Sequence, residues 1–431
     1  MSHGLMNVLV INHYANNKGD RAVLTFVVRE LSRAGVAQIV VSASDPESWK
    51  DTLGSLAAPV TMTPWGWGAD LPKSSSYFRR VLRGLGRRYF RRCAYASVRS
   101  RLACPSGRLA RTLCNGRFYR AVRAADLIIS TGGHHLTTLL TTDGISNQIC
   151  DQAMAVLSGK PLVLWSQSIG PFEFQDQRDL ELAKAILTRS AMIFTRDQQS
   201  LQLMRRHDVS QANVLETFDS VVGLNDAIGD YVDPSARENI VGVSIYSAQK
   251  RSPAHQRDYI DSMVALVTHA SFTGAVVRFF PMELKGSISD DRSLIHEIVS
   301  RCAEAGGRCV VEDRDLDCIT HLKEVAKCRL FVGHKTHSVV FGLTVGTPML
   351  AIAYHGKTRD FMDRYGLSEN CIDESELTTD LLLRKLANLQ ANLDAVGVKQ
   401  VQTSRALGAK VREDFRTMLA SFAGSGTRKT L

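Results

Sequence analysis

Short, wholly apolar runs alternate with stretches of helical spacing along most of the chain. In the first half Asn7 to Ile11, Gln38 to Ser42, Leu127 to Ser130, Leu162 to Trp165 and Met192 to Phe194 read as strands buried on both faces. Ala22 to Ala34, Ala183 to Ser190 and Ser200 to Arg206 carry the intervening helical pattern. This cadence predicts a parallel sheet with crossover helices. A polar stretch with Gly229, Asp230, Asp233 and Pro234 places a linker near residues 225–238. The cadence then repeats, with strands at Ile240–Tyr246, Ala275–Pro281, Arg308–Val311, Leu330–Val332 and Met349–Tyr354. Helices fall between them at Tyr259–Ala270, Asp291–Ala305 and Cys318–Ala326. The fold class read from this pattern is α/β, two Rossmann-like doubly wound lobes facing a cleft, at 1–228 and 229–422. Residues from about 376 to 422 read as helices packing back on the body, and 423–431 as a disordered tail.

The polar residues that interrupt this pattern most sharply lie between Leu330 and Met362. The strand ending at Gly333 runs into His334-Lys335-Thr336-His337, after which Ser338–Val345 reads as an apolar helix. Gly346-Thr347-Pro348 closes that helix, a second strand returns, and His355-Gly356-Lys357 stands at its end. Ligands of open parallel sheets collect outside the carboxyl ends of strands, and a helix N-terminus offers N–H groups to an anion. Lys335, His337, His355 and Lys357 are therefore expected at one crevice. His337 is the candidate catalytic acid or base, because imidazole titrates near neutrality. Lys335 and Lys357 are candidate anion clamps, and Tyr354 either orients one of them or packs beneath the site. His334 and His337 have no carboxylate or cysteine at ligand spacing beside them, and Lys335 would repel a cation, so no metal is assigned.

These residues resemble the C-terminal signature of the polysaccharide pyruvyl transferases: Arg-x-His, a helix, Gly-x-Pro, a strand, then Tyr-x-x-Lys. The matching positions are Lys335, His337, Gly346, Pro348, Tyr354 and Lys357, with lysine where the family usually has arginine. A lysine keeps the charge but loses the planar fork that grips carboxylate or phosphate through two parallel bonds. Upstream landmarks follow in the family's order: Asn17-x-Gly19-Asp20, Gly132-Gly133, Gln167 to Phe172, Thr195-Arg196-Asp197 with Ser200, and Asp219. Asp20 is expected either to cap the first helix of the N-terminal lobe or to hydrogen-bond a sugar hydroxyl. Gly132 and Gly133 are expected to wall the cleft. Gln167 and Arg196 complete its rim, with an ion pair to Asp197 or another carboxylate as the alternative for Arg196.

The resemblance implies a glycosyltransferase-B-like architecture, with the acceptor on the N-terminal lobe and the donor on the C-terminal one. It also implies phosphoenolpyruvate as co-substrate, no separate cofactor, and a glycan or lipid-linked oligosaccharide as acceptor. A nucleotide-sugar-dependent glycosyltransferase of the same two-lobed fold is the rival, and would need a base-stacking slot and a ribose-binding acid in the C-terminal lobe.

Composition changes this picture at one place. The chain has 431 residues, 44% apolar and 22% charged, and a net charge of +10. Between Arg79 and Arg123 there are 14 arginines and no acidic residue or lysine, so the rest of the chain is net acidic. Arginine pairs interleaved with Tyr77, Phe78, Leu82, Leu85, Tyr89 and Phe90 suit a helix with an apolar stripe and a cationic face. Such a helix either is a solvated face or makes peripheral contact with an anionic membrane through 79–123. No nucleic-acid module accompanies the arginines, so no nucleic-acid partner is expected. No run approaches the length of a spanning helix, and Val8–Ile11 is too short for a signal-peptide core. The nine cysteines form no Cys-x-x-Cys pair and read as free thiols. The expected location is cytoplasmic, at most peripheral to the inner face of the membrane.

Overall fold

The computed structural model describes residues 6–14, 17–44, 60–67, 77–100, 114–139, 145–209, 213–247, 251–272, 274–284 and 290–423. Its contacts divide the chain into two units. The first comprises Met1–Ala15, Val23–Asp219 and Arg412–Leu431; the second comprises Asn16–Ala22 and Ser220–Val411. This differs from a single cut near residue 228. The segment beginning at Asn16 joins the second unit because Lys18 N donates to Met282 O at 3.1 Å, and because Asn17 bridges Glu283. The chain end returns to the first unit because Phe415 packs edge-on against Trp165, with ring centroids 4.8 Å apart. The expected disordered tail from Gly424 onward lies outside the described residues.

The first unit is built on β1 (Asn7–His13), β2 (Gln38–Ala43), β3 (Val60–Pro64), β4 (Leu127–Ser130), β5 (Leu162–Gln167), β6 (Met192–Thr195) and β7 (Val214–Glu216). They form one sheet in the order β3-β2-β1-β4-β5-β6-β7, every pairing parallel. Its helices are α1 (Lys18–Arg33), which belongs to this unit from Val23 onward, α2 (Tyr77–Ser100), α3 (Gly116–Ala124), α4 (Asn147–Leu157), α5 (Gln177–Arg189) and α6 (Gln198–Arg206). Val8, Leu9, Val10 and Ile11 are all buried, as expected of a central parallel strand covered on both faces.

The second unit repeats the plan. β8 (Glu238–Ser244), β9 (Val276–Phe279), β10 (Cys309–Val311), β11 (Cys328–Gly333), β12 (Met349–Ala353) and β13 (Cys371–Asp373) form a sheet in the order β10-β9-β8-β11-β12-β13. All of its pairings are parallel. The helices are α7 (Pro253–Phe272), α8 (Arg292–Glu304), α9 (Cys318–Lys327), α10 (Thr336–Thr344), α11 (Gly356–Arg364), α12 (Thr379–Ala391) and α13 (Leu393–Ala423), which passes into the first unit at Arg412. Asp317 starts α9 by accepting from the backbone N–H groups of Ile319 and Thr320, the ordinary role of an N-cap carboxylate.

Counted within each sheet, the strand order is 3-2-1-4-5-6 in both units, with one further strand in the first. The order reverses between β1 and β4 and again between β8 and β11. A crevice opens at such a reversal because the flanking connections leave to opposite faces. Among the described residues no helix is long and apolar enough to cross a membrane, and no cysteine is in a disulfide.

Candidate active site

In the second unit the reversal point is surrounded by the ends of β8, β9, β11, β12 and β13, and the ionisable residues gather there. β11 delivers His334 and Lys335 as it ends, and Lys335 is the N-cap of α10. A lysine has no side-chain oxygen to accept from the first N–H groups of α10, and its side chain makes no capping bond. His337 is the second residue of that helix and is half-buried.

The Asn17–Asp20 segment lies directly against this histidine. Gly19 has to be glycine here, since a Cβ at that position would overlap the His337 imidazole. α1 begins at Lys18, three residues before Arg21, the start that an Asp20 cap would require. Capping falls to Asn17, whose Oδ1 accepts from Gly19 N at 2.8 Å. Asp20 sits instead in the first turn, where a carboxylate favours the helix dipole.

Lys335, a candidate anion clamp, is held between two carboxylates. Its Nζ lies 2.9 Å from Glu283 Oε2 and 2.8 Å from Asp291 Oδ1, and the residue is only 8% exposed. Burial alone would lower the lysine pKa, but the two carboxylates outweigh it and raise it, so the ammonium is retained. Burial in turn raises Asp291, with Lys335 opposing. Asp291 Oδ2 also accepts from the backbone N–H groups of Met282 and Glu283, and Asn17 Nδ2 donates to Glu283 Oε1 at 3.3 Å. One chain of polar contacts therefore fixes Asn17, the end of β9 and the β11–α10 junction together.

Lys18 belongs to the same region and was missed from the sequence. It is 2% exposed, and its Nζ has no hydrogen-bond partner among the described residues. Burial pulls its pKa down to about 8, against the pull of Asp315. Glu283, two residues past the predicted strand Ala275–Pro281, and Asp291, the first residue of the predicted helix Asp291–Ala305, were missed as well. His334 is fully buried and structural. Its Nδ1 lies 3.1 Å from Tyr259 Oη and its Nε2 3.2 Å from Glu374 Oε2, and burial lowers its pKa.

Tyr354 stacks on Tyr246 with ring centroids 4.3 Å apart. Both line a cavity of about 760 Å³ together with Arg251, His255 and Glu374. Lys357 is the second residue of α11, whose N-cap, His355, packs its ring 4.1 Å from that of Tyr354. Thr336 Oγ1 lies 3.4 Å from His355 Nε2, so the two helix starts are neighbours, as expected. A larger cavity of about 850 Å³, lined by Arg237, Asn239, Arg329 and Pro348, opens at the opposite, amino ends of these strands. Ligands of such sheets collect at the carboxyl ends, which favours the smaller cavity.

In the first unit Gly132, Gly133, Gln167 and Arg196 also gather at strand ends, but they are absorbed into packing. Gln167 Nε2 donates to Ser130 Oγ at 2.6 Å and to Thr131 O at 3.0 Å. Gly133 has φ +153° and a Cβ there would strike His135. Arg196 is 4% exposed, pairs with Asp219 and donates to Ser168 Oγ at 3.1 Å. The carboxylate partner is Asp219 rather than the adjacent Asp197, which caps α6 through Ser200 N. Among the described residues no group of three histidine, cysteine or acidic side chains is placed to hold a metal ion.

Two parallel doubly wound sheets of this order define an α/β protein with a glycosyltransferase-B-like fold. Solved structures agree on the fold. UDP-GlcNAc 2-epimerase from Neisseria meningitidis is similar at a TM-score of 0.58 and 8% identity, over 96% of this chain and all of that one. Alr3699/HepE from Anabaena, solved with UDP and glucose, is similar at 0.57 and 13%, with the same coverage. Within that class, the family model for polysaccharide pyruvyl transferase matches residues 17–356, and the chain belongs to that family. The amylovoran biosynthesis protein AmsJ from Erwinia amylovora is 23% identical over 94% of this chain and 98% of its own length. The protein is accordingly an enzyme of polysaccharide biosynthesis.

Proposed function

We propose that the protein transfers the pyruvyl unit of phosphoenolpyruvate to two hydroxyls of one sugar in an exopolysaccharide precursor, forming a cyclic ketal and releasing phosphate. The observation that carries this reading is the placement of His337 in the first turn of α10, at a strand-order reversal, inside the region matched by the family. The donor is anionic at its carboxylate and its phosphate, and the N-termini of α10 and α11, with Lys357, supply the complementary charge. The donor methylene takes up a proton and becomes a methyl group. One sugar hydroxyl bonds to the neighbouring carbon, the carbon–oxygen bond to phosphate breaks, and the second hydroxyl closes the ring. The two hydroxyl protons balance the one gained by carbon and the one carried by phosphate. His337 moves one of these protons.

The tyrosine pair, with Glu374 just past β13, supports a second reading, a nucleotide-sugar-dependent glycosyltransferase. Both are tested by incubating the purified enzyme with a glycan acceptor and either phosphoenolpyruvate or a UDP-sugar. Phosphate release in step with a new ketal methyl resonance is the expected result. Release of UDP with no reaction of phosphoenolpyruvate would replace the proposal with its rival.

A further inference from the structure

α2 has two chemically distinct faces. On the inner one Phe90 stacks on Trp67 with centroids 4.8 Å apart, and Phe90 and Ala94 join the core of the first unit. Two arginines serve this face. Arg87 Nη1 donates to Asn147 Oδ1 at 3.1 Å, and Arg91 Nη2 donates to both carboxylate oxygens of Asp179 at 3.1 Å. The outer face carries Val81, Leu85 and Tyr89, four residues apart and 38%, 54% and 46% exposed. Arg88 and Arg92 are exposed beside them. The other large apolar side chains exposed among the described residues, Leu139, Leu215, Val310 and Val398, are scattered over four different segments. α2 thus holds the one contiguous apolar stripe among them, in a stretch that contains no acidic residue from Arg79 to Arg123.

We propose that this outer face is a lipid-binding surface that seats the enzyme on an anionic bilayer, with Leu85 and Tyr89 entering the headgroup boundary and Arg88 and Arg92 meeting phosphates. Charge alone would suit any polyanion. An apolar stripe between the arginines has a use only where the partner offers an apolar layer beneath its anionic one, as a bilayer does. The orientation also divides the arginines: Arg88 and Arg92 bind lipid, whereas Arg87 and Arg91 hold the helix to the protein.

Sedimentation with phosphatidylcholine vesicles, with and without 30 mol% phosphatidylglycerol, tests this. The full-length enzyme should bind the anionic vesicles at low salt and lose most binding at about 0.5 M salt, where the screening length falls to a few ångströms. Arg88→Gln with Arg92→Gln should weaken binding roughly thirtyfold, the factor expected for two lost basic contacts. Leu85→Gln with Tyr89→Gln should weaken it by about tenfold through lost apolar burial. Both pairs leave thermal unfolding unchanged, because the four side chains are exposed. A Tyr89→Trp variant should show a blue-shifted emission on anionic vesicles relative to the wild-type background. The proposal is overturned if anionic vesicles are not bound at low salt, or if binding ignores both variant pairs. It is equally overturned if duplex DNA is bound as tightly and only the arginine pair matters.

Discussion

The two units share a strand order and place polar residues at the same topological position, yet they fill it differently. At the β1–β4 reversal Ser130 Oγ receives bonds from Asn12, Gln152 and Gln167, and His13, His134 and His135 stand at the strand ends, with His134 Nε2 against Gly170 O. The buried charge on that side, Arg196, is matched by Asp219. At the β8–β11 reversal a histidine stands at a helix N-terminus, a lysine is held between two carboxylates, and a second buried lysine has no hydrogen-bond partner among the described residues. The same strand order thus carries an amide cluster around Ser130 in one unit and, in the other, a lysine held between two carboxylates beside a second buried lysine.

The strongest way to break this comparison is to mutate both sides. His337→Ala should lower turnover by roughly two to four orders of magnitude while leaving the melting temperature close to wild type, as expected for loss of a general acid or base. Arg196→Met should do the reverse. It leaves Asp219 buried without its cation, which costs about 3–5 kcal/mol of stability, while turnover per folded molecule changes little. Urea unfolding and steady-state phosphate release on the same preparations decide the matter. A stable but inactive Arg196→Met would move chemistry to the first unit.

Next in size is the charge balance at Lys335. Lys335→Ala strands Glu283 and Asp291 together and should destabilise the protein by about 3 kcal/mol, with weaker donor binding. If Lys335 acts by balancing these carboxylates, adding Glu283→Gln to Lys335→Ala should recover much of both losses. If it grips the donor directly, the double variant should bind donor no better than the single one. Calorimetric titration with phosphoenolpyruvate separates the two.

Gly19→Ala sharpens the positioning argument. The added methyl displaces the His337 ring, and a shift of about 1 Å should reduce the turnover number by about a hundredfold. An unchanged turnover number would mean that the ring position does not matter.

Much of this architecture was legible in advance because buried parallel strands are continuous apolar runs. Leu127–Ser130 coincides with the observed strand, and the other predicted strands differ at their ends by one or two residues. The strands that escaped, Val60–Pro64, Val214–Glu216 and Cys371–Asp373, are short edge or near-edge strands, partly exposed, with no apolar run to reveal them. The site was legible where its residues adjoin strong elements, as Lys335 and His337 do. The carboxylates that hold Lys335 were not, since Glu283 and Asp291 flank a polar stretch whose path no periodicity dictates. Nor did the sequence reveal that Asn17 to Asp20 would join the second unit. That assignment rests on backbone and side-chain contacts some 265 residues distant.

Hydrogen–deuterium exchange of the full-length enzyme with and without saturating phosphoenolpyruvate addresses the contrast between the units most directly. Protection is expected in peptides covering residues 17–22, 281–284 and 333–340, with the strand ends at 131–136, 166–172 and 195–200 unchanged. Protection confined to those first-unit peptides, with none around His337, would contradict the assignment of the donor site to the second unit.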